Sequence, residues 1–177
     1  VHQGGRIKAY VPKAFYWQDI GTPERYRSAV LDATVPGVFL KAYGQKLNAC
    51  DIQYEKLKGD GSDRQWYRLR SDGGSLILAD HGIEVGAEIC EADSFAGIGR
   101  HLFKKNIPVP QIFMQDRFSG FVFLEDLGNT LLYDWVRSNK SRNAVLAIYE
   151  KVIHEWIRMS VLGARGFDPT MAYQGPA

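Results

Sequence analysis

From Ile52 onward the chain reads strand, turn, strand, turn, strand: Ile52 to Leu57, Gln65 to Arg70 and Ser75 to Ala79, each bounded by glycine and aspartate. Asp72-Gly73-Gly74 is a hairpin signal, so these strands are expected to be antiparallel neighbours. Downstream, a helix is expected from about Glu88 to Lys105, with Phe95, Ile98 and Leu102 on one face at helical spacing. Pro108-Val109-Pro110 then forces extended backbone. Gln111 to Met114 and Phe121 to Leu124 read as a second hairpin, and two helices follow. The last helix is the most strongly patterned, with Val145, Ile148, Tyr149, Val152, Ile153 and Trp156 in one stripe and Gly163 as its stop.

The amino-terminal part differs in pattern. Arg6 to Val11 and Ala14 to Trp17 suggest two short strands. Thr22 can cap a helix that starts at Pro23, where the missing N–H costs nothing, and Glu24 suits the positive end of the helix dipole. Thr34-Val35-Pro36-Gly37 is expected to end that helix near Ala33. This divides the chain into residues 1–33, a linker over 34–49 with the boundary near Tyr43 to Asn48, and a second unit over 50–177.

Composition narrows the function classes. The 177 residues carry 22 basic and 20 acidic side chains, a net charge of +2 that does not suggest a nucleic-acid partner. The longest apolar runs, Ser75 to Ala79 and Phe121 to Leu124, fall far short of the roughly 20 residues of a membrane helix, so no membrane role is expected. Cys50 and Cys90 have neither disulfide-framework nor zinc spacing, and a reducing, cytoplasmic setting is the expectation. The chain begins Val1-His2-Gln3 and ends Gln174-Gly175-Pro176-Ala177, and it reads as a piece of a longer polypeptide.

Two local features carry chemistry. In Lys58-Gly59-Asp60-Gly61-Ser62-Asp63-Arg64 the small residues Gly59, Gly61 and Ser62 let backbone N–H groups approach phosphate oxygens, and Arg64 and Arg68 can supply positive charge. The same tetrapeptide also suits a plain hairpin turn. The run Gly120 to Gly128 is an apolar strand that ends in Glu125-Asp126-Leu127. Adjacent carboxylates on extended backbone point to opposite sides, so Glu125 and Asp126 are poor candidates for a joint acid/base or metal site. Backbone groups of Glu125 to Leu127 pairing with an adenine edge, with the carboxylates capping nearby amides, is one account; an ordinary solvated strand end is the other.

On these residues, the segment from about Asp51 to Ala177 resembles the amino-terminal part of the aminoglycoside phosphotransferase family, in particular its bacterial cell-wall amino-sugar kinases. The glycine loop of that branch, roughly Gly-Asp-Ala-Ser-x-Arg-Arg-Tyr-x-Arg, is matched by Gly59 to Arg68, and its hinge Leu-Glu-Asp-Leu-Gly by Leu124 to Gly128. Ile107 to Ile112 matches the linker between helix and strand. The resemblance implies an α+β fold with a protein-kinase-like amino lobe, a twisted antiparallel sheet with helices, that binds ATP and magnesium. It implies nucleotide-binding roles for Gly59, Asp60, Gly61, Ser62, Arg64, Arg68, Glu125, Asp126 and Leu127.

The departures matter as well. Where most members of the family carry a phosphate-binding lysine, this chain has Leu78-Ala79-Asp80, so Arg64 or Arg68 is expected to take over that charge. Glu91 is the nearest candidate for the glutamate of the lobe's helix, with a solvated helix face as its other reading. His81, His101 and His154 read as surface or packing residues, since none belongs to a His-x-Asp catalytic loop. No catalytic residue is assigned, and the chain by itself is expected to be inactive.

Tyr16 to Tyr26 is similar to the closing motif of sugar-1-phosphate nucleotidyltransferases, Trp-x-Asp-x-Gly-Thr-Pro-x-x-Tyr or Leu. That resemblance implies that Asp19 is a magnesium ligand, capping of the following helix being its other reading, and that residues 1–33 are the tail of such a domain. Together the two imply a fragment of a bifunctional sugar nucleotidyltransferase and ATP-dependent amino-sugar kinase of cell-wall recycling, whose partners are nucleotide and sugar substrates. A pseudokinase-like module that binds a nucleotide or a partner without chemistry is the alternative.

Overall fold

In the computed structural model the described residues are 17–59, 63–83, 86, 88–139 and 141–173. The two short strands expected before residue 17 lie almost wholly outside them. The fold is α+β. Helix α1 (Pro23–Tyr43) precedes strands β1 (Gln53–Leu57), β2 (Gln65–Ser71) and β3 (Gly74–Asp80). Helix α2 (Glu91–Lys104), strands β4 (Ile112–Asp116) and β5 (Phe121–Glu125), and helices α3 (Leu132–Ser138) and α4 (Arg142–Arg158) follow. The strands form one antiparallel sheet in the order β1-β2-β3-β5-β4. Both expected hairpins are present. Each is made by a local turn, whereas β3 finds β5 only after the chain has passed through α2.

β3 and β5 lie at the centre of the sheet and are buried on both sides, which explains their unbroken apolar runs. Leu76, Leu78, Phe121 and Phe123 point to one face and Ile77, Ala79, Val122 and Leu124 to the other. The first face is covered by α1, through Val30, Val35, Val38 and Phe39. The second is covered by α2, through Ala92 and Ala96, with Cys90 at its start. Both rims are blunted. β1 is a largely exposed edge whose Glu55 pairs with Arg70 at 3.1 Å, and β4 carries a register shift between Ile112 and Met114.

The start of α1 is as expected: the Thr22 hydroxyl accepts a hydrogen bond from the Arg25 N–H at 3.3 Å, and Pro23 opens the helix. Its end is not. The helix passes straight through Pro36 and stops only at Tyr43, where Gly44 adopts a left-handed φ of 71° and returns its N–H to the Leu40 carbonyl at 2.8 Å. A mid-helix proline costs about 3 kcal/mol. Val35, Val38 and Phe39 are buried beside it, and that burial offsets the cost. Lys41 Nζ also donates to the Phe113 carbonyl at 2.6 Å, and Tyr43 Oη to the Ser75 carbonyl at 2.5 Å, fastening the last turns across the sheet. Residues from Val30 to Phe39 therefore share one core with Ile52, Leu69 and Phe123.

Gly120 is the tightest backbone position. Its φ is +72°, and a Cβ there would lie 1.8 Å from the carbonyl oxygen of Gly82, at the place where the His81 N–H bonds the Gly120 carbonyl at 2.9 Å. Gly120→Ala is expected to cost more than the ~1–2 kcal/mol of a left-handed alanine, because the neighbour is backbone and cannot turn aside. A urea midpoint unchanged from wild type would contradict this.

α4 forms as expected, and a wider turn over Met159–Gly163 ends it at Gly163, which is buried against Leu102. Its apolar stripe is uncovered: Tyr149, Ile153 and Trp156 are exposed, Trp156 by 66%.

Candidate functional site

The glycine turn joins β1 to β2 at the end of the sheet where Asp80 and Phe121 lie, since Gln65 pairs with Asp80 and Asp80 with Phe121. Asp60, Gly61 and Ser62 lie outside the described residues. Gly59 is described, and a Cβ there would meet the Arg64 carbonyl oxygen at an ordinary 3.7 Å. The strap Glu125-Asp126-Leu127-Gly128 leaves β5 at the opposite end of the sheet, where Glu125 pairs with Leu76. Four residue steps along β5 separate the two ends, about 13 Å at the usual strand rise. Between them the α2 face of the sheet presents Leu57, Trp66, Ile77, Ala79 and Leu124.

At the glycine-turn end, Glu91 in the first turn of α2 reaches the residue just before β2 and the residue just after β3. One carboxylate oxygen lies 3.1 Å from Arg64 Nε and the other 3.5 Å from Nδ1 of His81, whose side chain is fully buried. The Arg64 guanidinium also lies 5.9 Å from the Trp66 ring and 5.6 Å from the Phe95 ring. The reading of Glu91 as a solvated helix face is therefore corrected: it links Arg64, just before β2, with His81, just after β3. Its place at the amino end of the helix suits a carboxylate.

At the strap end, Arg68 is 4% exposed, and each of its three guanidinium nitrogens contacts the strap or Asn129 just beyond it. Nη1 donates to Asn129 Oδ1 at 2.5 Å, Nη2 to Asp126 Oδ1 at 2.9 Å and to the Gly128 carbonyl at 3.2 Å, and Nε lies 2.6 Å from Asp126 Oδ2. Asp126 also accepts from Ser75 Oγ at 2.6 Å and from the Gly128 N–H at 2.9 Å. Burial raises the pKa of this carboxyl. The hydrogen bonds from Arg68, Ser75 and Gly128 outweigh burial and hold it below the usual carboxylate range. Of the two arginines, Arg64 stands at the glycine turn and Arg68 clasps the strap.

The two carboxylates of the strap diverge. Glu125 Oε2 accepts from the Gln111 N–H at 3.1 Å, and the Glu125 N–H donates to the Gln111 carbonyl at 2.9 Å. Both acids thus cap amides. Leu127 is 66% exposed, and its backbone makes no hydrogen bond with the described residues.

Asp19 is bonded within its own segment. Its Oδ1 accepts from the Gly21 N–H at 3.0 Å, its Oδ2 pairs with Arg25, and the side chain is half exposed. Thr22, not Asp19, caps the helix. Among the described residues no group of three or more histidine, cysteine or acidic side chains is placed to hold a metal. His101 Nε2 lies 2.7 Å from the Gly163 carbonyl oxygen in a packing role, and His154 is exposed.

Sequence reasoning missed the Arg27–Asp80 ion pair, in which Asp80, the last residue of β3, turns to the α1 face of the sheet. The signal was available: Glu24, Arg27, Ser28 and Leu31 fall at i, i+3, i+4 and i+7. Compared with known protein families and with characterised proteins, the chain gives no match.

Proposed function

We propose that this chain carries the ATP-binding lobe of a sugar phosphotransferase, with the nucleotide running beside α2 from the strap to the glycine turn, past the half-buried Leu57 and Trp66. The observation that carries the reading is that the strap and the glycine turn leave opposite ends of one sheet, about 13 Å apart along the strand direction, within the reach of a nucleoside triphosphate. In this reading the free backbone of Leu127 meets the adenine edge, Gly59 to Ser62 surround the phosphates, and Arg64, oriented by Glu91, supplies the charge of the missing lysine. Arg68 acts indirectly, by fixing the strap. Magnesium enters with the nucleotide, and Asp19 belongs to a separate sugar-1-phosphate site in the nucleotidyltransferase tail of the same bacterial, cytoplasmic recycling enzyme. Lacking a His-x-Asp segment, these 177 residues hold nucleotide and do not turn it over.

Calorimetric titration with ATP and magnesium tests this. Wild type is expected to bind, Arg64→Ala to bind about tenfold more weakly, equivalent to about 1.4 kcal/mol, and Arg68→Ala to lose fold stability. No heat of binding, or equal affinity in Arg64→Ala, would sink the assignment. One observation favours a second reading, a binding module without chemistry: Asp80 is committed to Arg27 on the far face of the sheet.

A further inference from the structure

On the face of the sheet opposite α2, the first turns of α1 stand off the strands and leave an open cavity of about 680 Å³. The helix contributes Glu24, Arg27 and Ser28, and the sheet contributes Tyr54, Tyr67 and Phe121. Tyr54 and Tyr67 are diagonal neighbours across the β1–β2 pair, because Tyr54 faces Leu69. Three aromatic rings and a volume within the range of ordinary ligand pockets make a place for a body of ring size.

Charge decides which kind of ligand. Arg27 is already satisfied: it pairs with Asp80 and lies 4.6 Å from the centre of the Phe121 ring, so a cation held against an aromatic face is built into the wall. Asp80 is satisfied too, accepting the Gly82 N–H at 2.9 Å as well. Glu24 remains. Hydrogen bonds from its own N–H and from Thr22, with a smaller effect of the Arg27 charge, hold its carboxyl below the usual range, so it is ionised at neutral pH. The phenol of Tyr54 is pushed up to about 12 by burial and by the charge of Asp32, and stays a neutral donor. Lys56, opposite Tyr67 across the strand pair, donates to Gln65 Oε1 at 3.1 Å. Arg27 and Asp80 pair with each other, so the charged side chains of the lining sum to one negative charge, at Glu24, among aromatic rings.

The geometry points to a second ligand site at this cavity, for a small organic cation: a protonated primary amine on an apolar or aromatic body, with the ammonium at Glu24 and the body against Tyr54, Tyr67 and Phe121. It is separate from the nucleotide site, being on the other side of β2 and β3.

The test uses three matched probes at low ionic strength, 2-phenylethylamine, 2-phenylethanol and 3-phenylpropionate, followed through the amide NMR signals of the 177-residue chain. The amine is expected to shift signals of α1 and of β1–β2, with millimolar affinity or better and at least fivefold tighter than the alcohol. Glu24→Gln should erase that preference while leaving the alcohol unaffected, and Tyr67→Leu should weaken amine and alcohol alike. Binding of the carboxylate as strong as that of the amine, no preference for amine over alcohol, a preference that survives Glu24→Gln, shifts confined to other elements, or no shifts at all would each overturn the site.

Discussion

Replacing Asp126 by alanine is expected to cost 3–5 kcal/mol, roughly the loss measured when one partner of a buried ion pair is removed. Arg68 would remain 4% exposed, with its charge facing only the amide oxygens of Asn129 and Gly128. Against a total of about 5–15 kcal/mol for a domain, this change alone brings the chain close to unfolding. Arg68→Ala should act in the same direction, while the double change Arg68→Met with Asp126→Leu should recover most of the loss, because an apolar pair leaves no charge uncompensated. Urea unfolding of the four proteins decides the matter. Single variants within 1 kcal/mol of wild type would show that the clasp is dispensable.

The same clasp sets a pH dependence. The carboxyl of Asp126 is depressed in the folded state, so its contribution is fully present above the unfolded value of about 3.9 and is lost as pH falls through the folded value. The stability gap between wild type and Asp126→Ala should therefore be flat at neutral pH and shrink as the solution is acidified below about pH 4. A gap that widened on acidification would contradict the sign.

The second large effect is expected at Phe39→Ala, about 3–5 kcal/mol. The ring is fully buried in the α1 half of the core and lies 6.0 Å from that of Tyr43. Its loss opens a hole between the helix and Leu69, Leu76 and Phe123. Because α1 covers this whole face, a chain started at residue 50 should fail to yield a soluble folded product. Wild-type stability of Phe39→Ala, or a well-folded chain from residue 50, would show that the sheet does not depend on the helix.

What was legible in the sequence follows the range of the interactions. Asp72-Gly73-Gly74 and the Thr22-Pro23-Glu24 start were readable because a turn or a cap is settled by residues within four positions of one another. The length of α1 was not, because Pro36 is a local signal overruled by contacts to strands that follow much later in the chain. The partner of Arg68 was equally hidden: Asp126 lies 58 residues away, and only the sheet order brings β2 and the end of β5 together across β3. Glu91 was found as a helix residue, but its bridge to Arg64 and His81 needs the packing angle of α2 on the sheet, which periodicity does not encode. The α4 stripe shows the converse: a helical pattern foretells a helix even where nothing covers its face.

The blunted rims of the sheet have a bearing on how copies of this chain meet. With Glu55 and Arg70 flanking one margin and a kinked register at the other, neither offers the long flat ladder on which a fibril grows. The apolar side of α4 is exposed at Tyr149, Ile153 and Trp156, and contacts through it bury side chains without recruiting main-chain amides. Association of copies is accordingly expected to run through side chains of α4 and to leave the strand order of the sheet unchanged.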